Sequence, residues 1–151
     1  MEKGLTLMYK FNPEYIIGLV DGEGSFTVHV RNIAKNDSIK RRARVEPRFY
    51  IKLAERDKEI LYSLKKYFGC GSVYFQKDAR PNHQNCYRYE VFNRMELNSI
   101  IIPFFKQNSL RFPSKQKDFE MFCIIMNAIN KDEHLSNIGL EKLLRIKQRM
   151  H

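Results

Sequence analysis

The stretch from Asn12 to Phe26 restricts what this 151-residue chain can fold into more than any other. Asn12 is a good helix N-cap, and Pro13 suits the first helical position. An apolar run follows, in which Gly18 and Gly22 lie four apart and so share one helical face. Asp21 and Glu23 close the run. Gly24 stops the helix and the pattern changes period. Phe26, Val28 and Val30 then alternate with Thr27, His29 and Arg31, as in a half-buried strand.

A helix that ends in two carboxylates has an electrostatic problem, because its C-terminal end already carries partial negative charge. A cation reverses the sign, and an oxygen-only cluster suits Mg²⁺, which also bridges to phosphate. Glycines at i and i+4 let a second backbone come close while apolar neighbours seal the contact. If that backbone belongs to the same helix of a second copy, the acids meet near one axis and repel unless metal ions lie between them. The plainer alternative is a buried helix with a polar, glycine-rich turn, so the rest of the chain must decide.

Composition excludes several classes. Hydrophobic residues make up 43% of the chain, enough for one domain with its own core and too many for a disordered tail. The net charge of +10 favours a polyanionic partner. Cys70, Cys86 and Cys123 are odd in number and lack CxxC spacing. They read as reduced thiols in an intracellular, reducing compartment and not as a zinc site. No apolar run is long enough to span a membrane, and residues 1 to 11 have neither a signal-peptide nor a transit-peptide pattern.

The charge is clustered. Between Lys35 and Lys52 there are seven Lys or Arg against two acids. Alternation resumes there, with Phe49, Ile51 and Leu53 inward and Arg44, Glu46, Arg48, Tyr50 and Lys52 outward; Arg42 belongs to the same basic run. Asp57 is the expected cap of a helix with an Ile60, Leu61, Leu64 and Phe68 stripe, ended by Gly69. Two further strands follow, about 71 to 77 and 85 to 92, joined by a turn around Pro81. Ser72, Tyr74 and Gln76 face outward on the first, Arg88 and Glu90 on the second, with Tyr87, Tyr89 and Val91 inward. Asn93 and Glu96 form a capping box for a helix that Pro103 is expected to end. Ser114 is the expected cap of a helix from 115 to about 130, with Phe119, Phe122, Met126 and Ile129 on one face. A last amphipathic helix covers about 138 to 150.

A basic strand face that also carries Gln, Ser, Thr, Tyr and Glu has the chemistry for reading base edges, whereas non-specific phosphate binding needs only Lys and Arg. The expected nucleic-acid contacts are Thr27, His29, Arg31, Arg42, Arg44, Glu46, Arg48, Tyr50, Lys52, Ser72, Tyr74, Gln76, Arg88 and Glu90; a merely solvated basic face is the plainer alternative. His29 has no second ligand at metal spacing and reads as a groove-facing polar residue.

Residues 16 to 24, with Gly18, Leu19, Asp21, Gly22, Glu23 and Gly24 in matching places, resemble the LAGLIDADG motif of homing endonucleases and related RNA-splicing maturases. The element order, roughly from Pro13 to Asn130, is similar too. The resemblance implies an α+β fold of αββαββα order, a saddle with a curved antiparallel sheet on one side and helices on the other, formed by residues 1 to 151 as a single domain. One motif per chain implies a homodimer, with Tyr15, Ile17, Gly18, Asp21 and Gly22 at the interface, on a nearly palindromic DNA site. The implied activity is metal-dependent cleavage of both strands. Glu23 and the Gly22 carbonyl are the implied Mg²⁺ ligands, two or three ions being shared between the active sites of the dimer, and Asp21 is the weaker candidate. Glu23 stands where many relatives have Asp. A Gln common in relatives falls at Leu53, which cannot order water and leaves Lys52 or Glu55 in its place. Lys115, with Lys117 behind it, matches a basic residue that can stabilise developing charge. The rival readings are a maturase that grips intron RNA and a DNA-binding protein that does not cleave.

Overall fold

The computed structural model describes residues 9–31 and 44–151. Helix α1 (Pro13–Glu23) opens it, and the Asn12 side chain accepts from the Tyr15 amide as expected of the cap. Strand β1 (Gly24–Arg31) follows, then β2 (Arg44–Ala54), α2 (Lys58–Phe68), β3 (Ser72–Gln76) and β4 (Cys86–Val91). Helical segments α3 (Arg94–Glu96), α4 (Ile102–Gln107), α5 (Pro113–Asn130) and α6 (Asn137–Gln148) complete the chain. The fold is α+β, with a four-stranded antiparallel sheet in the order β1-β2-β4-β3.

The chain divides into two compact units. The first holds α1, the part of β2 from Phe49 onward, α2, β3, β4, α3 and α4. Here the strand alternation of the sequence becomes a register. Tyr50 pairs with Glu90, Lys52 with Arg88, Tyr74 with Arg88 and Ser72 with Glu90, so these side chains share one face. Phe49, Ile51, Tyr89 and Val91 point the other way and are buried. Phe49 packs against Tyr89 and Phe105, and Phe68 stacks on Tyr89. The Tyr89 hydroxyl donates to the Cys70 carbonyl at 2.9 Å, which satisfies a polar tip inside an apolar core. Burial pushes both the Tyr89 phenol and the Cys70 thiol above their ordinary pKa values. Gly69 ends α2 with a φ of 69°, the left-handed cap that glycine adopts without strain.

The second unit holds β1 from Phe26, β2 up to Arg48, α5 and α6. Phe26 lies between Phe119 and Phe122 of α5, at ring distances of 5.2 and 5.3 Å. The predicted stripe of α5 is buried throughout, at Phe119, Phe122, Met126 and Ile129.

Several local expectations are overturned. Asp57 makes no side-chain cap; a 3₁₀ turn, Glu55–Asp57, leads into α2 instead. Pro103 does not end its helix. Between α3 and α4 the backbone widens into a π-helical turn, Leu97–Ile101, where the Ile102 amide bonds to the carbonyl of Leu97, five residues back. That wider turn accommodates a ring that lacks an N–H and would clash at α-helical pitch. Ser114 is not a cap either: Pro113 takes the first helical position of α5 and Phe112 precedes it. The 131–136 segment contains a short 3₁₀ turn, Glu133–Leu135, and Ser136 caps α6 by accepting from the Gly139 amide. Arg42, with Lys40 and Arg41, lies outside the described residues.

Candidate functional site

The end of α1 separates its two carboxylates. Asp21 is 5% exposed and turned into its own chain, whereas Glu23 is exposed. No basic residue in the last turn offsets the helix end. Among the described residues, no group of three or more His, Cys, Asp or Glu side chains could hold a metal ion. A hard cation at this end therefore finds one free carboxylate and backbone carbonyl oxygens, chemistry that suits Mg²⁺ but an incomplete ligand set.

The glycine face is open. A Cβ built at Gly18 or Gly22 meets nothing within 4 Å. Tyr15, one turn before Gly18, is 48% exposed, and Tyr9, Phe11 and Tyr15 form a stack with ring planes within 5° of parallel. This stack extends the exposed face of α1 beyond its first residue, and sequence reasoning missed it because Tyr9 and Phe11 precede any periodic pattern. Ile17 is 3% exposed and, like Asp21, has almost no surface to give a second copy. The tight glycine is Gly24, whose Cβ would lie 2.7 Å from the Val20 side chain and 2.9 Å from its Cα. Gly24 has φ −82° and ψ 159°, so close approach and not backbone freedom calls for glycine there.

In the first unit the polar sheet face carries Tyr50, Lys52, Ser72, Tyr74, Gln76, Arg88 and Glu90. Arg88 lies 3.6 Å above the Tyr50 ring and donates to Glu90 Oε1 at 3.4 Å. The Tyr74 hydroxyl donates to Glu90 Oε2 at 2.5 Å. Glu90 lies on the expected polar face but is only 4% exposed, covered by Tyr74 and Arg88. Leu53 pairs with Tyr87 on the opposite, core-facing side, while Lys52 is on the polar face and Glu55 sits exposed in the 3₁₀ turn. In the β3–β4 connection Asp78 accepts two bonds from the Arg80 guanidinium, at 3.0 and 2.7 Å, and one from its backbone amide. The Arg80 pairing holds the Asp78 carboxyl well below the usual carboxylate range.

In the second unit His29 and Arg31 are exposed and Thr27 is half-buried along one side of β1. Arg44 is exposed at the start of β2. Glu46 joins Arg48 at 3.0 Å and Arg31 at 3.9 Å. Lys115 is half-buried in the first turn of α5 and Lys117 exposed. One turn on, Asp118 is buried and takes the His151 amide at 2.8 Å and its Nδ1 at 3.0 Å. Nothing in the sequence pattern joins those two residues, which are 33 positions apart.

Residues 16–126 match the LAGLIDADG endonuclease family. A probable intron-encoded endonuclease 2 of Neurospora crassa is 33% identical over 134 residues, 88% of this chain and 28% of that protein. The chain thus spans little more than a quarter of that relative's length. The crystal structure of the homing endonuclease I-TnaI superposes with a TM-score of 0.79 at 35% identity, covering 95% of this chain and 90% of that one. The I-SmaMI LAGLIDADG homing endonuclease bound to cleaved DNA gives 0.80 at 33% identity, covering 94% of this chain and 44% of that one. I-SmaMI is also known bound to an uncleaved DNA target in the presence of calcium ions.

Proposed function

The chain belongs to the LAGLIDADG endonuclease family, and from that premise we propose that it is a site-specific homing endonuclease, binding a long, nearly palindromic double-stranded DNA site as a homodimer and cutting both strands. The observation that carries the reading is the end of α1. An exposed Glu23 carboxylate closes a helix whose Gly18 and Gly22 face is open to another backbone. A related enzyme is known both with cleaved DNA and with uncleaved target beside calcium ions, which supports a divalent-cation requirement.

Glu23 and the Gly22 carbonyl would hold Mg²⁺, and the second carboxylate would come from the second copy. The bound ions supply an activated water and charge neutralisation at the leaving oxygen. The chain's own residues do the rest. Tyr50, Lys52, Arg88 and their neighbours on the first unit's sheet face, and His29, Arg31, Arg44 and Arg48 in the second unit, bind and orient the duplex. Lys115 keeps the role the resemblance implies, a cation set against developing negative charge.

Selection of cleaved sites from a randomised DNA library with Mg²⁺ present tests activity, symmetry and sequence preference together. A recovered site with two related half-sites is the expected result. A protein that binds structured intron RNA and leaves every DNA uncut would favour the maturase reading and overturn this one.

A further inference from the structure

Resting on that DNA-binding reading, we infer that Arg88 is a sequence-reading side chain held in place by Tyr50, Glu90 and Tyr74, and that Glu90 is a positioning residue that does not itself contact a base. Arg88 sits on β4, an inner strand of the sheet, in register with Lys52 on one side and Tyr74 on the other. A like charge directly opposite pushes a long, mobile guanidinium away. Two contacts counter this. The ring of Tyr50 lies 3.6 Å beneath the guanidinium, within the stacking and cation–π range. Glu90 takes one fork nitrogen, Nη2, at 3.4 Å.

Glu90 is itself fixed. Tyr74 donates to its other oxygen, so the carboxylate is held between a phenol and an arginine and is 4% exposed. A carboxylate engaged at both oxygens and covered from solvent cannot accept from a cytosine amino group without breaking its own bonds. The arginine differs, keeping 18% of its side chain exposed on a face with a ring behind it and a carboxylate beside it. Its Nε is buried and one Nη2 hydrogen is on Glu90, so the edge left to meet the O6 and N7 acceptors of guanine in the major groove is made by Nη1 and the second Nη2 hydrogen. Stacking and the ion pair remove the rotamer entropy that a free arginine loses on binding. The four residues therefore act together: Arg88 reads, and Tyr50, Glu90 and Tyr74 set its direction.

Sites bound by the protein, recovered from a randomised double-stranded DNA library without regard to cleavage, test the inference. At one position of each half-site guanine should be preferred, and Arg88→Lys should lower that preference about ten-fold. Glu90→Gln should lower it similarly, because the amide still accepts from Tyr74 but no longer attracts the guanidinium. Tyr50→Leu should lower it as well, while Tyr50→Phe, which retains the ring, should retain the preference. Salt dependence should change less than base preference, since no phosphate contact is removed. Should Glu90→Gln fail to fold by circular dichroism, the two Tyr50 variants decide. An unchanged guanine preference in Arg88→Lys overturns the reader, and a preference kept in both Glu90→Gln and Tyr50→Leu overturns the positioning roles. A wild type that binds specific sites without cutting them overturns only the endonuclease reading; one that selects no site overturns this inference as well.

Discussion

Glu23 and Asp21 stand two residues apart on one helix and face different surroundings. Only Glu23 keeps its carboxylate in reach of a cation outside the chain, so Glu23→Gln should leave DNA binding intact and lower Mg²⁺-dependent cleavage by about 10²-fold or more. Cleavage at the wild-type rate in a gel assay would refute the metal assignment. The pair shows what the sequence could and could not disclose. The resemblance ranked Glu23 above Asp21, but a helix end offers no periodic cue for which of two acids turns inward; the structure shows that Asp21 is the buried one. Asp78 makes a separate point. Its carboxyl is held below the ordinary value, chiefly by hydrogen bonds from the Arg80 guanidinium and amide. A carboxylate depressed in the folded state adds stability above its unfolded pKa of about 3.9, and that stability is lost as pH falls through the lower folded value. Hydrogen exchange in residues 77 to 85 should therefore accelerate, relative to a peptide reference, as pH drops below about 4. Asp78→Asn should flatten that pH dependence.

At the scale of elements, alternation and helical stripes were sufficient to order the helices and strands, because burial is a repeated signal that survives local errors. Caps were less legible. Asp57 and Ser114 are good capping residues by type, yet a 3₁₀ turn displaced one and Pro113 the other. Pro103 misled for a related reason: inside a helix a proline lacks the amide donor and crowds the preceding turn, but one widened turn lets the helical path continue. Gly24 joins α1 to β1, and its replacement tests how closely that junction is packed. An Ala Cβ there would meet the backbone of Val20 as well as its side chain, and backbone cannot move aside cheaply. Gly24→Ala should destabilise the chain by about 1–3 kcal/mol in urea unfolding. No change in the midpoint would show that the junction relaxes freely.

For the whole molecule, assembly is the property on which the proposed chemistry turns, and the two open glycines allow it to be tested against the chain's own stability. In a single copy, Gly18 has empty space where a Cβ would go. Replacing an exposed helical glycine by alanine favours the helix by about 0.8–1.0 kcal/mol. A monomer should thus melt higher as Gly18→Ala, by roughly 2–4 °C for a chain of this size. If the same face meets its counterpart in a second copy, the added methyl separates two backbones, and the gain in the monomer is offset by loss at the interface. Gly18→Leu, with a larger side chain, should abolish self-association. Sedimentation at micromolar concentration separates the cases, because only an interface effect depends on protein concentration. A wild-type dimer that becomes a folded monomer as Gly18→Leu is the expected outcome. A dimer that persists in Gly18→Leu would place the subunit contact elsewhere, and the Glu23 carboxylates of two copies could not then be brought together through this helix.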